Sequence, residues 1–372
     1  MIYSLKKSKK KCNNLKKILI IAPSRKLGGI ERALSVLANE WANQGIEVIY
    51  VSCLKHDPFY VLDANIQVVE PGFKRSSGIV NRFAFYPRLV FFLRNTVKTN
   101  NPDRVVVFGD WFSPIALLAL LNTKFQVYIS DRTIPNYTFK FPIPQLKKWL
   151  YPKSAGFIAQ TKRAKEFKEN LFGSRLRIQV IPKALPEFTE PTNTLDIREN
   201  KIIYVGRFAW EKDPEILIRS MAFVTKKHPN WILEMAGTGP LLNPMKELVK
   251  TLNLESNIVF LGNVSQVATL YKSAQVLVLP SVVEGFPNTL IEAMSFGLPC
   301  ICFTDIPYED IITPKVDGYV VSNRTSETLA NATMELIEDN ELRATIGKNA
   351  EVAVQRFSKD KIAQELLEFM KL

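Results

Sequence analysis

Residues 284–292 read Glu284-Gly285-Phe286-Pro287-Asn288-Thr289-Leu290-Ile291-Glu292. A strand-like run, Gln275–Pro280, precedes them, and a helical run, Asn288–Phe296, begins inside them. Glycine and proline break the chain between the two. Glu284 is therefore expected on a loop at the carboxyl end of a strand, and Glu292 within the helix that follows. Ligands of open parallel sheets bind outside those strand ends. A helix start adds free backbone N–H groups that favour anions. Two carboxylates for hydroxyls, beside a place for phosphate, suit a nucleotide-sugar.

Outward from this stretch, short apolar runs alternate with amphipathic helical ones. Strands are expected at Ile18–Ala22, Glu47–Ser52, Arg104–Phe108, Gln126–Ser130, Gly156–Gln160 and Arg177–Ile181. After a Pro/Thr/Asn-rich lapse at Pro182–Asn200 they resume at Lys201–Val205, Trp231–Ala236, Asn257–Leu261, Val276–Leu279 and Cys300–Phe303. Ile30–Gln44, apolar at Leu34, Leu37, Ala38 and Trp41, typifies the helices between them. The βαβα rhythm predicts α/β parallel sheets covered on both faces. It predicts two Rossmann-like domains, 1–185 and 186–357, around a cleft. A last helical stretch, 358–372, would return to the first domain. No repeat is visible.

A chain of 372 residues, 47% of them apolar, can bury its core without staples. The four cysteines show no C-x-x-C spacing. Cys300 and Cys302 share one face of a strand, as small core residues do, and a reducing compartment suits them. No apolar run reaches membrane-span length; Val105–Leu121, broken by Asp110 and Pro114, reads as strand, loop and helix. Met1–Lys17 lacks the apolar core of a signal peptide, so none is expected. The net charge of +13 is divided into +20 for residues 1–185 and −7 for the rest. The basic half suits nucleic acid or an anionic membrane surface. Its clusters, Lys6–Lys17 and Lys140–Lys153, are interleaved with apolar and aromatic residues such as Phe139, Phe141, Trp149 and Leu150. That mixture favours a segment lying in a membrane interface over an RNA groove, with a plain solvated surface as the alternative.

Three further motifs sit at strand ends. Gly28-Gly29 follows the first strand; it admits either a ligand close to the backbone or a tight turn. It is not G-x-G-x-x-G. Arg207 and Lys212 share one loop after Lys201–Val205, where they can converge on a diphosphate or simply face solvent. Gly237-Thr238-Gly239 can line a base or make a turn. No D-x-D pair exists to hold a metal, and the two histidines, His56 and His228, lie outside every motif. A Ser-His-Asp triad, a histidine-rich zinc site and a histidine base are thereby disfavoured. Paired carboxylates also occur in glycosidases, but these two share one strand–loop–helix unit.

Together, Arg207 with Lys212, Gly237-Thr-Gly239, and the run from Pro280-Ser281 through Glu284, Glu292, Gly297 and Pro299 resemble the retaining GT-B glycosyltransferases with an E-x7-E motif. The resemblance extends over nearly all the chain from Lys16 and is most specific in the second half. It implies a nucleotide-sugar on the C-terminal domain. Glu292 would hold the ribose, Arg207 and Lys212 the diphosphate, and Gly29 would close over the phosphates. Glu284, with the backbone around Phe286–Asn288 and Thr289, would hold the sugar, beside Gly237 and Gly239. Arg207, Lys212 and Glu284 are the expected catalytic groups, with neither cofactor nor metal. Many relatives place a histidine on the acceptor-facing loop, and this chain does not. Its loops read Phe108-Gly-Asp110-Trp-Phe and Ile129-Ser-Asp131-Arg132. The second resembles the Ser-Glu/Asp-Arg loop of bacterial enzymes that extend lipid-linked sugars. Asp110, Asp131 and Arg132 are assigned to the acceptor side, with a buried ion pair or helix cap as the alternative for each.

The resulting expectation is a glycosyltransferase at the cytoplasmic face of a membrane. It would move a hexose or N-acetylhexosamine from a UDP-sugar to a polyprenyl-diphosphate-linked or other cell-envelope glycan. A soluble transferase or nucleotide-sugar epimerase on the same fold has less need of the basic first half. A non-catalytic scaffold would not need the motif intact. A nucleic-acid partner leaves the second half unexplained, so none is expected.

Overall fold

A computed structural model describes residues 15–75, 79–134, 137, 139–186 and 198–371, the side chains of 79–83 apart. Cys12, most of the first lysine cluster and most of the Pro/Thr/Asn-rich connection lie outside these residues. The described strands are β1 (Lys17–Ala22), β2 (Glu47–Ser52), β3 (Gln67–Val69), β4 (Arg104–Phe108), β5 (Val127–Ser130), β6 (Gly156–Ala159), β7 (Ile178–Val180), β8 (Lys201–Val205), β9 (Ile232–Ala236), β10 (Ile258–Gly262), β11 (Val276–Leu279), β12 (Cys300–Phe303) and β13 (Tyr319–Val321). They form a seven-stranded sheet in the order β3-β2-β1-β4-β5-β6-β7 and a six-stranded sheet in the order β10-β9-β8-β11-β12-β13. Neighbouring strands pair in parallel throughout both sheets.

The reason is visible in the strand sequences. Runs such as Ile18-Leu19-Ile20-Ile21 and Val105-Val106-Val107 are apolar on both faces and completely buried. Only a parallel sheet with helices on both sides satisfies them. Leu19, Ile21, Val105 and Val107 pack with one set of helices, and Ile18, Ile20, Val106 and Phe108 with the other. Strand order reverses between β1 and β4 in the first sheet, and between β8 and β11 in the second. The loops after those four strands carry Gly28-Gly29, Asp110, the Arg207–Lys212 stretch and the Glu284–Glu292 stretch. Each therefore opens at a switch point, where an α/β sheet leaves a crevice.

The helix Lys359–Lys371 packs on the first sheet, although it follows the second in the chain. Trp41 Nε1 donates to Ala363 O at 3.2 Å. Arg104 and Arg177 donate to the carbonyls of Met370 and Phe369, satisfying groups that the helix end leaves open. Gly156 makes this fit possible, because a Cβ there would stand 2.6 Å from the Phe369 ring. Where the chain crosses between the domains, Leu185 N donates to Phe357 O at 2.7 Å, tying the two crossings together.

Leu367 in this helix is completely buried. Leu367→Ala should cost about 2–5 kcal/mol, the range for emptying a packed leucine site. Urea unfolding checks it; a loss under about 1 kcal/mol would detach the helix from the core.

Candidate active site

The second domain builds its half of the site from two loops fastened to each other. Val282 N donates to Glu211 O at 2.9 Å, joining the Glu284 loop to the Arg207–Lys212 loop. Arg324 closes the joint, donating to Asp213 Oδ2 at 2.8 Å, Pro280 O at 2.9 Å and Ser281 O at 2.6 Å. Gly237 and Gly239 form the adjoining wall, with φ of 139° and 154°. A Cβ on Gly237 would lie 1.9 Å from Gly206 O, and one on Gly239 2.4 Å from Phe208 O. These glycines exist so that two backbones can touch.

Within this frame Glu284 accepts from Ser281 Oγ at 2.8 Å and pairs with Lys212. Arg207 pairs with Glu211 and is otherwise two-thirds exposed. Burial pushes the Glu211 carboxyl up, and the Arg207 contact more than reverses that, leaving it below its ordinary value. Thr289 Oγ1 approaches Val205 O at 3.4 Å. The Phe286 ring turns away into the core, edge-on to Phe357. Only its backbone is available to a ligand. Asn288 opens the helix Asn288–Met294, which carries Glu292.

Glu292 is one of the places where the two domains meet. Arg32 of the first domain donates to its Oε1 at 3.0 Å, and buried Tyr271 to its Oε2 at 3.2 Å. Burial raises the Glu292 pKa above the ordinary carboxylate value; Arg32 and Tyr271 pull it back in part. Arg32 lies in the first turn of the helix Gly29–Asn43, so the Gly28-Gly29 loop opens on the same spot. A Cβ on Gly285 would lie 3.4 Å from Thr133 O, so the Glu284 loop also reaches the loop that carries Asp131 and Arg132.

On that side Asp110 and Asp131 are closed into a charge network. Lys147 Nζ donates to Asp110 at 2.8 Å and to Asp131 at 3.1 Å. Lys168 and Tyr151 also donate to Asp131, and Thr133 and Arg132 N to Asp110. Burial opposes the charge on Asp131, but Lys168 and Lys147 outweigh it and hold its carboxyl below the usual value. Arg132 stacks 3.6 Å from the Phe108 ring centroid. Asp110, Asp131, Lys147 and Lys168 also line a cavity of about 480 Å³ with Ile134, Tyr137, Phe139 and Phe167. Two expectations for the membrane-facing stretch need correction. Lys147 is buried in the ion-pair network, and Leu150 is a fully buried core residue. Trp149 and Phe141 are exposed.

Arg32, Tyr271 and Arg324 went unnoticed in the sequence, and Ser281 was noted only as part of the motif, without a role. Arg32 alone had a usable signal, its place one turn behind Gly28-Gly29. Among the described residues no group of acidic, histidine and cysteine side chains could hold a metal ion. No helix among them is long and apolar enough to cross a membrane.

With this geometry in view, the chain matches the model for glycosyltransferase family 4 over residues 27–186 and that for glycosyl transferases group 1 over residues 187–353. The chain belongs to the group 1 glycosyltransferases, on the two-domain GT-B fold. It is 26% identical over 359 residues, 95% of this chain and 98% of the other, to an alpha-1,4-N-acetyl-D-galactosaminyltransferase of Campylobacter jejuni. The name of that enzyme gives its acceptor as a diNAcBac-PP-undecaprenol carrying GalNAc. Over 188 residues, 47% of this chain and 49% of the other, it is 27% identical to an Escherichia coli UDP-Gal:alpha-D-GlcNAc-diphosphoundecaprenol alpha-1,3-galactosyltransferase. HepE of Anabaena, solved in complex with UDP, superposes with a TM-score of 0.77 at 20% identity, covering 95% of this chain and 99% of that one.

Asp131→Ala should cost about 3–5 kcal/mol at neutral pH, because it strands buried lysines beside a single remaining carboxylate. Asp131 has a lowered folded-state pKa. Its contribution is therefore complete above the unfolded value of about 3.9 and is lost as pH falls through the folded one. Urea midpoints of variant and wild type should differ at pH 7 and converge in acid; a gap that is constant with pH refutes this reading.

Proposed function

We propose that the protein is a retaining glycosyltransferase. It would move a hexose or N-acetylhexosamine from a UDP-sugar to a polyprenyl-diphosphate-linked or other cell-envelope glycan. One observation carries the reading: Arg207, Lys212, Glu284 and Glu292 open at the switch point of one sheet, and Glu292 is bonded across the cleft to Arg32, in the helical turn that Gly29 opens. The ribose would replace Arg32 and Tyr271 as partner of Glu292. The sugar would meet Glu284 and the backbone from Phe286 to Asn288, with Thr289 behind. Arg207 and Lys212 would face the diphosphate. In the proposed step the bond from the anomeric carbon to the phosphate oxygen breaks. The acceptor oxygen bonds to that carbon from the same face, and its proton passes to the departing phosphate. Charge growing on that phosphate is what Arg207 and Lys212 are placed to stabilise, a role that preorganised donors fill most effectively. No metal is needed for it. UDP as the nucleotide and a lipid-linked acceptor are supported by the relatives' names. The cavity beside Thr133 is the reading's acceptor side.

The test is transfer from a panel of UDP-, GDP- and ADP-sugars to prenyl-diphosphate-linked glycans in excess EDTA. A UDP-sugar should be used. Arg207→Ala and Lys212→Ala should each lower kcat/KM by roughly 10²–10³-fold, as for loss of one transition-state donor. Normal turnover in either variant removes that residue from the reaction, and full dependence on Mg²⁺ or Mn²⁺ ends the metal-free mechanism.

We also place the enzyme at the cytoplasmic membrane surface, bound peripherally through its basic domain. Exposed Phe141 and Trp149, with Lys153 Nζ 5.7 Å from the Trp149 ring centroid, support this. Lysines near an anionic surface contribute about 1 kcal/mol each. Co-sedimentation with anionic liposomes should fall as salt rises, and in a variant carrying Lys148→Glu, Lys153→Glu and Trp149→Ala. No binding at low salt would refute the membrane location.

A further inference from the structure

The first domain's wall of the cleft carries a lysine to which the proposed reaction gives no task. Lys183 leaves β7 on the first crossing between the domains. Its Nζ lies 3.4 Å from where a Cβ on Gly29 would stand, at the first turn of the helix Gly29–Asn43. Among the described residues this ammonium has neither a hydrogen bond nor an ion pair. Arg132 lines one small void with it, and the Arg132 Nε and Nη1 atoms are buried without partners. Arg32 faces the same place from the helix. Glu292, the carboxylate that acts on Lys183, is already taken by Arg32 and Tyr271, and Asp110 and Asp131, which act on Arg132, are held by Lys147 and Lys168. Glu31, in the same helical turn, is engaged by Ser24 Oγ at 2.7 Å.

Like charges gathered at the positive end of a helix repel one another, and unpaired buried donors cost free energy. Both penalties vanish if an anion with several oxygens sits among them. We propose that Lys183 and Arg132, bordered by Arg32 and by the amino end of the helix Gly29–Asn43, form a diphosphate-binding site on the first domain. The proposal rests on the glycosyl-transfer reading for its ligand. The diphosphate is that of the nucleotide-sugar or that of a prenyl-diphosphate acceptor. In either case the site holds phosphate oxygens from the domain facing Arg207 and Lys212, and so favours closure of the cleft.

Lys183 supplies a signature of its own. Burial, with Arg132 and Arg32 beside it, pulls its ammonium down to about 8, against the attraction of Glu292. Those three are the charged groups that act on it, from the β5 loop, the first helix and the second domain. A diphosphate that needs the charged form should lose about tenfold in affinity between pH 7 and pH 9. Burial pulls the Arg132 guanidinium down as well, to about 9 against Asp110 and Asp131, so Lys183 is the group that titrates first in that interval.

The experiment is calorimetry on the full chain with two probes, UDP and farnesyl diphosphate, using wild type, Lys183→Gln and Lys183→Arg. Thermal unfolding checks that each variant is folded. Lys183→Gln should bind at least one probe tenfold or more weakly. Lys183→Arg should bind within about threefold of wild type at pH 7 and lose most of the dependence on pH between 7 and 9. Loss confined to UDP assigns the site to the donor, and loss confined to farnesyl diphosphate assigns it to the acceptor. Unchanged affinity of Lys183→Gln for both probes overturns the site, while UDP binding by wild type leaves the donor reading standing. No binding of either probe by wild type overturns both. If Lys183→Gln fails to fold, the wild-type titration decides: affinity that is flat from pH 7 to 9 overturns the site.

Discussion

A parallel sheet buried on both faces leaves only the ends of its strands for chemistry, and everything in this molecule follows from that constraint. Two such sheets cannot share a face, since helices already cover each one. They meet through the loops at their strand ends instead. Gly28-Gly29 and the Asp110 and Asp131 loops come from one sheet, the Arg207–Lys212 and Glu284–Glu292 loops from the other. The ion pair from Arg32 to Glu292 and the approach of Gly285 to Thr133 are the points where these loops touch.

The acidic groups of the motif are not bare. Glu292 holds Arg32, Glu284 holds Lys212, and Glu211 holds Arg207. In the proposed reaction a nucleotide-sugar replaces these partners in kind. Its hydroxyls take over the carboxylates, and the released cations meet its phosphates. Each charge is neutralised before and after, which limits the desolvation penalty of a partly buried site. A carboxylate left without its cation would pay that penalty in full.

The eleven strands expected from apolar runs are all present, because most of them are buried on both faces and advertise themselves by composition. The two that escaped, Gln67–Val69 and Tyr319–Val321, are three-residue edge strands, too short to show a period. The second-domain motif was legible since its glycines, proline and carboxylates follow one another closely in the chain. Arg32, Lys183 and Arg324 were not, because each acts across more than forty residues of sequence or across the domain boundary. The Lys140–Lys153 cluster shows the opposite failure. Local alternation of charge and apolar residues read as a surface, yet Lys147 turns inward to two aspartates that lie far away in the chain or just before the cluster. Pattern reports which side chains could be outside; only tertiary partners decide which are.

The helix Lys359–Lys371 completes the core of the first sheet, yet it leaves the ribosome only after the whole second domain. During synthesis, the faces of β1 and β4 that this helix covers stay open while more than a hundred and fifty further residues are added. The second domain, from β8 through the helices that end at Phe357, has no such debt and can close as soon as it emerges. Domains usually fold in the order they are made. Here the order is inverted: the later domain is finished first, and the earlier one waits with an apolar surface in need of protection from aggregation.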